Sequence, residues 1–160
     1  MPEGYGTDNG FTDYLTAMGL ELPNAGPSAA VARLRGSAWL DGKYESRFPG
    51  SRTAGYEQER AWPRTGAHTV RSCVAIPPDA VPTAILYASY EAAYREAKAT
   101  GSLAPDYVAG KQVKRQKVGP IEREFVTSGT AADVTPVISV IEGMLTDYLT
   151  SVSEPAVFVV

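Results

Sequence analysis

The sequence predicts a mainly α fold, a small helical bundle of about four helices with an inserted β-hairpin and long loops. Three observations predict it. Apolar residues recur at three- and four-residue spacing in four separate stretches. Residues 113–126 break that rhythm, with β-branched residues and charges strung on either side of Gly119-Pro120. Between these stretches, 15 Gly and 12 Pro in 160 residues punctuate the chain. A chain of this length supports one domain with one modest core. We expect that domain, with its hairpin, to occupy residues 1–150 and a separate tail to occupy residues 151–160.

The first helix is expected from Asp13 to Met18, capped by Thr12 and stopped by Gly19, because Phe11, Tyr14, Leu15 and Met18 recur at helical spacing. Pro27-Ser28 opens a second helix, Ala29 to Leu40, with Ala30, Leu34 and Ala38, and Val31 beside them, as its apolar face. Gly36 weakens this helix without forbidding it. No period persists from Asp41 to Pro78, so this stretch reads as a long loop whose aromatic anchors are Tyr44, Phe48, Tyr56 and Trp62.

A third helix is expected to run through Val81 and on to Thr100. Asp79 can cap it, Pro82 suits its first turn and Gly101 stops it, and Ile85, Ser89, Ala92, Ala93 and Ala97 give it a face of mostly small residues. Glu91 and Arg95 are an i,i+4 pair. Tyr87, Tyr90 and Tyr94 form a stripe that either packs against the long loop or offers a stacking platform for bases. In the hairpin, folding at Gly119-Pro120 sets Lys117 opposite Glu122 and Arg115 opposite Glu124, and Pro120 suggests a loop wider than two residues. Thr127 to Thr130 then reads as a polar linker. The last helix is expected from Pro136 to Leu149, with Val137, Val140, Ile141, Met144, Leu145 and Tyr148 on its apolar side.

Beyond Pro155 the chain ends in Ala156, Val157, Phe158, Val159 and Val160, an uncharged apolar run with high β propensity. Such a tail needs cover. It either docks on a partner or folds back as a strand against the hairpin.

The composition narrows the chemistry. With 15 basic and 18 acidic residues the net charge is −3, which argues against a protein that coats nucleic acid by phosphate neutralisation. His68 and Cys73 are single residues of their kinds, so they cannot make a Cys/His metal set, and His68 has no carboxylate beside it to place it as a base. Cys73 is expected to be a small buried residue. Hydrolase, nucleotide and dinucleotide loop motifs do not occur. We therefore expect no catalysis, no cofactor and no metal. Without an apolar run of about 18 residues or a signal-like start, we expect no membrane span and folding in the cytoplasm.

Two strings carry more specific information: Ala61-Trp62-Pro63-Arg64-Thr65-Gly66, and Val113-Lys114-Arg115-Gln116-Lys117-Val118-Gly119-Pro120-Ile121-Glu122. With Trp39 to Tyr44 before them and Pro78 to Pro82 between them, they make the chain resemble, over residues 10–150, a phage and prophage family labelled DnaT-like single-stranded-DNA-binding protein. The chain departs from that likeness at Glu45 to Glu59, where Gly and Pro stand in place of a continuous helix.

The resemblance implies a structural protein of the tailed-phage neck, similar to head-to-tail connector adaptors. It implies a homo-oligomeric ring of about twelve copies, closed by heterologous contacts. The portal protein would lie above it and a stopper or tail protein below, and double-stranded DNA would pass through without specific binding. Such a protein is assembled in the bacterial host cytoplasm and ends in the virion. On this reading Trp62, Arg64, Arg115, Lys117, Glu122 and Glu124 are candidate subunit or ring contacts, and Pro155, Val157, Phe158, Val159 and Val160 dock on the portal. Trp62 can equally pin the long loop within its own chain. The label itself implies the alternative, single-stranded-DNA binding in replication through Lys111, Lys114, Arg115, Lys117 and the tyrosine stripe.

Overall fold

A computed structural model describes residues 3–104, 115–118, 121–124 and 138–151. As predicted, the fold is mainly helical, with four α-helices among the described residues, α1 (Asp8–Ala17), α2 (Ala29–Tyr44), α3 (Thr83–Lys98) and α4 (Ser139–Leu145). β1 (Ser51–Arg52) pairs antiparallel with β2 (Arg64–Thr65), and β3 (Arg115–Val118) with β4 (Ile121–Glu124). The main packing is between α2 and α3, with α1 across both and α4 on α3. Two apolar clusters result. One joins Leu40, Tyr44, Phe48 and Trp62 to Ile85, Ala88, Ile141 and Leu145, and the other joins Phe11, Leu15 and Ala32 to Tyr90, Ala93 and Ala97.

Helix boundaries follow their caps. α1 starts five residues before the expected Asp13, because the hydroxyl of Thr7, not Thr12, accepts the backbone N–H of Gly10 at 3.0 Å. Its stop is the expected one: Gly19 takes φ +68°, and Leu20 N–H reaches back to Leu15 O at 2.8 Å. α2 is capped by Ser28 and runs four residues past Leu40 to Tyr44. α3 starts after Pro82, without a side-chain cap, so Asp79 and Val81 lie outside it. α4 is shorter than expected and continues as a 3-10 turn, Thr146–Tyr148, while Pro136 and Val137 lie outside the described residues.

Several predicted faces are corrected. α2 buries Ala32, Gly36, Ser37, Leu40, Asp41 and Tyr44, whereas Ala30, Val31 and Ala38 face outward. The cause is the closeness of α3: a Cβ on Gly36 would lie 2.4 Å from Ala93 N and 2.8 Å from Ser89 O. Only the smallest residues fit that seam, so the larger apolar side chains do not mark it. On α3 the expected face holds, with Ile85, Ser89, Ala92, Ala93 and Ala97 all buried. On α4, Ile141 and Leu145 are buried but Val140 is 47% exposed. Tyr44, Phe48 and Trp62 anchor the long loop as expected, while Tyr56 is 92% exposed on a 3-10 turn, Gly55–Glu57, that projects away from the core. Cys73 is exposed, not buried, because it sits in a tight surface turn at φ +53°, its N–H donating to Thr69 O.

The hairpin register is the one the charges predict: Arg115 opposite Glu124 and Lys117 opposite Glu122. Pairing continues to Val118 opposite Ile121, so two residues separate the strands and the wider loop is not needed. Gly119, Pro120 and the 127–130 linker lie outside the described residues.

The α2 seam generates a paired prediction. Gly36→Ala should destabilise the protein by about 1–3 kcal/mol, since the added methyl meets backbone that cannot yield. Gly42→Ala, on the same helix with nothing within 4 Å of its Cβ position, should instead stabilise it by about 0.5–1 kcal/mol. Thermal or urea unfolding of the two variants checks the sign.

Candidate functional site

The conspicuous Trp62-Pro63-Arg64 string forms the inner hinge of the long loop. Trp62 is 1% exposed, its ring meeting Phe48 edge-on at 5.7 Å and Tyr148 at 6.3 Å, and the Trp62–Pro63 peptide is cis. Arg64 is also buried. Its guanidinium donates to Pro49 O at 2.9 Å, Ala61 O at 3.1 Å and Gly50 O at 2.5 Å, with Glu45 Oε1 3.8 Å away. A loop folded inward brings its carbonyls out of water, and the forked guanidinium supplies donors to several at once. Both candidate contact residues therefore face their own chain, which supports the intramolecular reading of the anchor.

Around this hinge the N-terminal segment, α2 and the loop share buried polar groups. Tyr5 Oη donates to Asp41 Oδ1 at 2.6 Å and accepts Trp62 N–H at 3.0 Å. Arg60 approaches Asp41 Oδ2 at 3.4 Å. Burial pushes the Asp41 carboxyl up, partly opposed by the Tyr5 hydrogen bond, and it pulls the Arg64 guanidinium down. Arg52 grips Glu45 with two bonds, at 2.6 and 2.7 Å, which holds Glu45 below its ordinary pKa of 4.5.

The tyrosine stripe packs on α1, not on the long loop. Tyr87 and Tyr90 lie 4.9 and 5.7 Å from the Tyr14 ring, and Tyr90 lies 5.3 Å from Phe11. Tyr90 is buried, so it offers no face to a base, while Tyr87 stays 42% exposed. A surface feature that sequence reasoning missed is the open groove these rings line with Gly10, Asp13, Ala17, Met18 and Leu86, about 480 Å³ in volume. Its signal lay in the alignment of Tyr14 with Met18 one turn on, but the facing wall of Leu86, Tyr87 and Tyr90 comes from α3, which helical spacing in α1 does not show.

Charge is divided between two parts of the chain. Each of the ten basic residues from Arg33 to Lys98 has an intrachain partner. Seven are in ion pairs, Arg47 donates to Thr150 O, and Lys43 and Lys98 lie over aromatic rings. Residues 111–124 hold the other five basic residues and two acidic ones, net +3, which leaves −6 on the rest. Arg115, Lys117, Glu122 and Glu124 are brought together by the ribbon; Lys111, Lys114 and the tail residues Pro155 to Val160 lie outside the described residues. Among the described residues no helix packs substantially on β3 or β4. Among them, too, no group of three or more metal-ligating side chains gathers, and no helix is long and apolar enough to cross a membrane.

Two predictions test the hinge. Trp62→Ala should cost about 3–5 kcal/mol, read as a fall in unfolding midpoint. Glu45→Gln should lower stability at neutral pH. The native pKa of Glu45 is depressed, so the contribution is fully present above about 4.5 and disappears as pH falls through the depressed value. The wild-type and Glu45→Gln unfolding curves should therefore converge in acid.

Comparison with known proteins agrees with one part of the resemblance drawn from the sequence. No curated protein and no solved structure matches the chain. One family model, described as "Putative DnaT-like ssDNA binding protein", matches residues 3–160. With nearly every residue inside that match and both hallmark strings in place, the chain belongs to the DnaT-like single-stranded-DNA-binding protein family.

Proposed function

We propose that this chain is a structural adaptor of the tailed-phage neck, a ring subunit that joins the portal to the stopper or tail and surrounds the DNA channel. The observation that carries the reading is the contrast between a helical body whose basic residues are partnered within the chain and the segment 111–124, net +3, which carries the two-stranded ribbon. A ribbon of four-residue strands is marginal by itself and gains stability by packing on something else, which in a ring is a neighbouring subunit or the next ring. A body of net negative charge lets DNA slide past without being held, while a modest positive arm keeps the path from repelling it. On this reading the protein is non-enzymatic and works without a cofactor. The tail from Pro155 to Val160 docks on the portal, adding its strand-forming residues to an exposed edge.

The family's description favours a second reading, single-stranded-DNA binding, and supports it more directly than any comparison supports the adaptor. In that case the cationic ribbon is the binding arm. Against it, the exposed aromatic rings of the body, Tyr56 and Tyr87, stand among cations already engaged elsewhere, whereas base stacking beside a basic groove is the usual means of holding a single strand.

One pair of measurements separates the readings. A labelled single-stranded oligonucleotide is titrated by fluorescence anisotropy over a salt series, and the chain is mixed with portal-bearing heads and sedimented. The adaptor reading expects weak oligonucleotide binding and co-sedimentation with the heads. Tight binding, losing about 0.7 log unit of affinity per log unit of salt for each phosphate neutralised and abolished by Lys114, Arg115 and Lys117 to Ala together, would replace it with the second reading.

A further inference from the structure

The turn that carries Tyr56 is braced from both sides, while the ring at its apex is left in water. β1 and β2 close its base, Thr53 N–H donates to Pro63 O at 3.2 Å, and Thr53 Oγ1 donates to Pro78 O at 2.6 Å. Gln58 holds it from within: its Oε1 accepts Ala54 N–H at 2.9 Å, and its Nε2 donates to Arg60 O and Pro63 O at 2.8 and 2.9 Å. Tyr56 is nevertheless 92% exposed, more than any other large apolar side chain among the described residues. A fixed turn presenting a tyrosine has little left to order when it binds, because only two side-chain torsions remain free. Beside the ring, Glu57 and Glu59 are exposed and make no ion pair among the described residues.

An open socket of about 510 Å³ lies against α4. Val70, Gly143 and Leu149 make its lining partly apolar, and Thr146 and Ser151 add hydroxyls. Glycine weakens a helix, yet Gly143 sits within α4 with nothing inside 4 Å of its Cβ position, so no described neighbour requires it to be small. A ring entering from outside would. Arg47 also lines the socket. Of the arginines from Arg33 to Arg95 it alone makes no ion pair among the described residues, its Nε donating to Thr150 O at 3.2 Å. Glu142, the other charged group in the lining, already accepts the Tyr44 hydroxyl at 3.3 Å and faces Lys43.

We infer that the Tyr56 ring of one copy enters the α4 socket of a second copy of this chain, with Glu57 facing Arg47. The phenol finds apolar walls and hydroxyl partners there, and a carboxylate without a counter-ion meets a guanidinium without one. Knob and socket are different surfaces, so the contact is heterologous and repeats from copy to copy, as a closed ring requires. The inference rests on the ring reading above and names a contact that would build the ring.

Thiol cross-linking of the full-length chain tests it, alone at high concentration and with portal-bearing heads. Cys73, which is exposed, is first replaced by Ser. Ala54→Cys then marks the turn and Ser139→Cys the edge of the socket, with circular dichroism to check that every variant folds. A short bis-maleimide should join the double variant into dimers, trimers and larger species on a denaturing gel, while each single-cysteine variant stops at dimers. Tyr56→Ala should weaken this association about tenfold or more, and Tyr56→Phe should retain most of it. Gly143→Trp, which fills the socket from an open position, should abolish the ladder. Glu57→Arg and Arg47→Glu should each deplete it, and the two together should restore it.

A ladder unchanged by Tyr56→Ala would overturn the inference. An intrachain cross-link, migrating as a compact monomer, would overturn it by seating the turn in its own socket. A ladder that forms only after deletion of residues 155–160 would overturn it by assigning the socket of the full-length chain to the tail. No cross-link while sedimentation still shows closed oligomers would overturn the contact and leave the ring standing. A chain monomeric by sedimentation both alone and with portal-bearing heads would remove the ring reading and this contact together.

Discussion

The close approach of α2 to α3 at Gly36 is the constraint on which the rest of this structure depends. With no side chain at Gly36, the α2 backbone comes against Ala93 and Ser89. The neighbouring seam is lined by Ala32, Ser37, Ala88 and Ala92, all fully buried. Two backbones this close leave room for large side chains only on the flanks, which is why the core forms as two clusters on either side of the seam. The buried hydroxyls of the seam are put to use. Ser37 Oγ accepts Tyr5 N–H at 2.9 Å, and Arg33 one turn earlier donates to the carbonyls of Gly4, Tyr5 and Gly6, so the N-terminal segment is tied along α2 before α1 begins.

That tie positions Tyr5 to reach both Asp41 and the Trp62 backbone, and through Tyr5 the long loop is registered on the helices. The loop has no periodic apolar face, so it cannot be held as a helix is held. It is held by buried polar groups, with Arg64 serving carbonyls from Phe48 to Ala61 and Arg52 bridging Glu45 to Gln58 O. Charges taken out of water are a weak source of net stability but a strong source of specificity here, since each guanidinium is satisfied only in one arrangement of the loop. The apolar contribution comes chiefly from Trp62 and Phe48, with Ala61 and Ala67 buried beside them.

These internal commitments bear on function. A body whose arginines are partnered within the chain has few left over to attract phosphates, and the net positive charge that remains lies in residues 111–124, around a ribbon on which no described helix packs substantially. A nucleic-acid arm and an assembly arm would both look like this, and the family's description names only the first.

What was legible in the sequence was local. The four helices, the stop at Gly19, the small-residue face of α3, and the ribbon register with Lys117 opposite Glu122 follow from caps, spacing and cross-strand charge, each acting within a few residues. The family likeness was legible too, in two short strings. Which face of α2 turns inward was not, because the periodicity of Ala30, Leu34 and Ala38 is genuine while the buried face is chosen by the distance to α3, a property of neither helix alone. The roles of Tyr56 and Cys73 were lost for a similar reason: residue type favours burial, but the turns that carry them project from the core. Trp62 and Arg64 stood out in the sequence, yet only the tertiary structure decided that both turn inward, because the carbonyls that Arg64 satisfies and the rings that enclose Trp62 come from segments as distant as Phe48 and Tyr148.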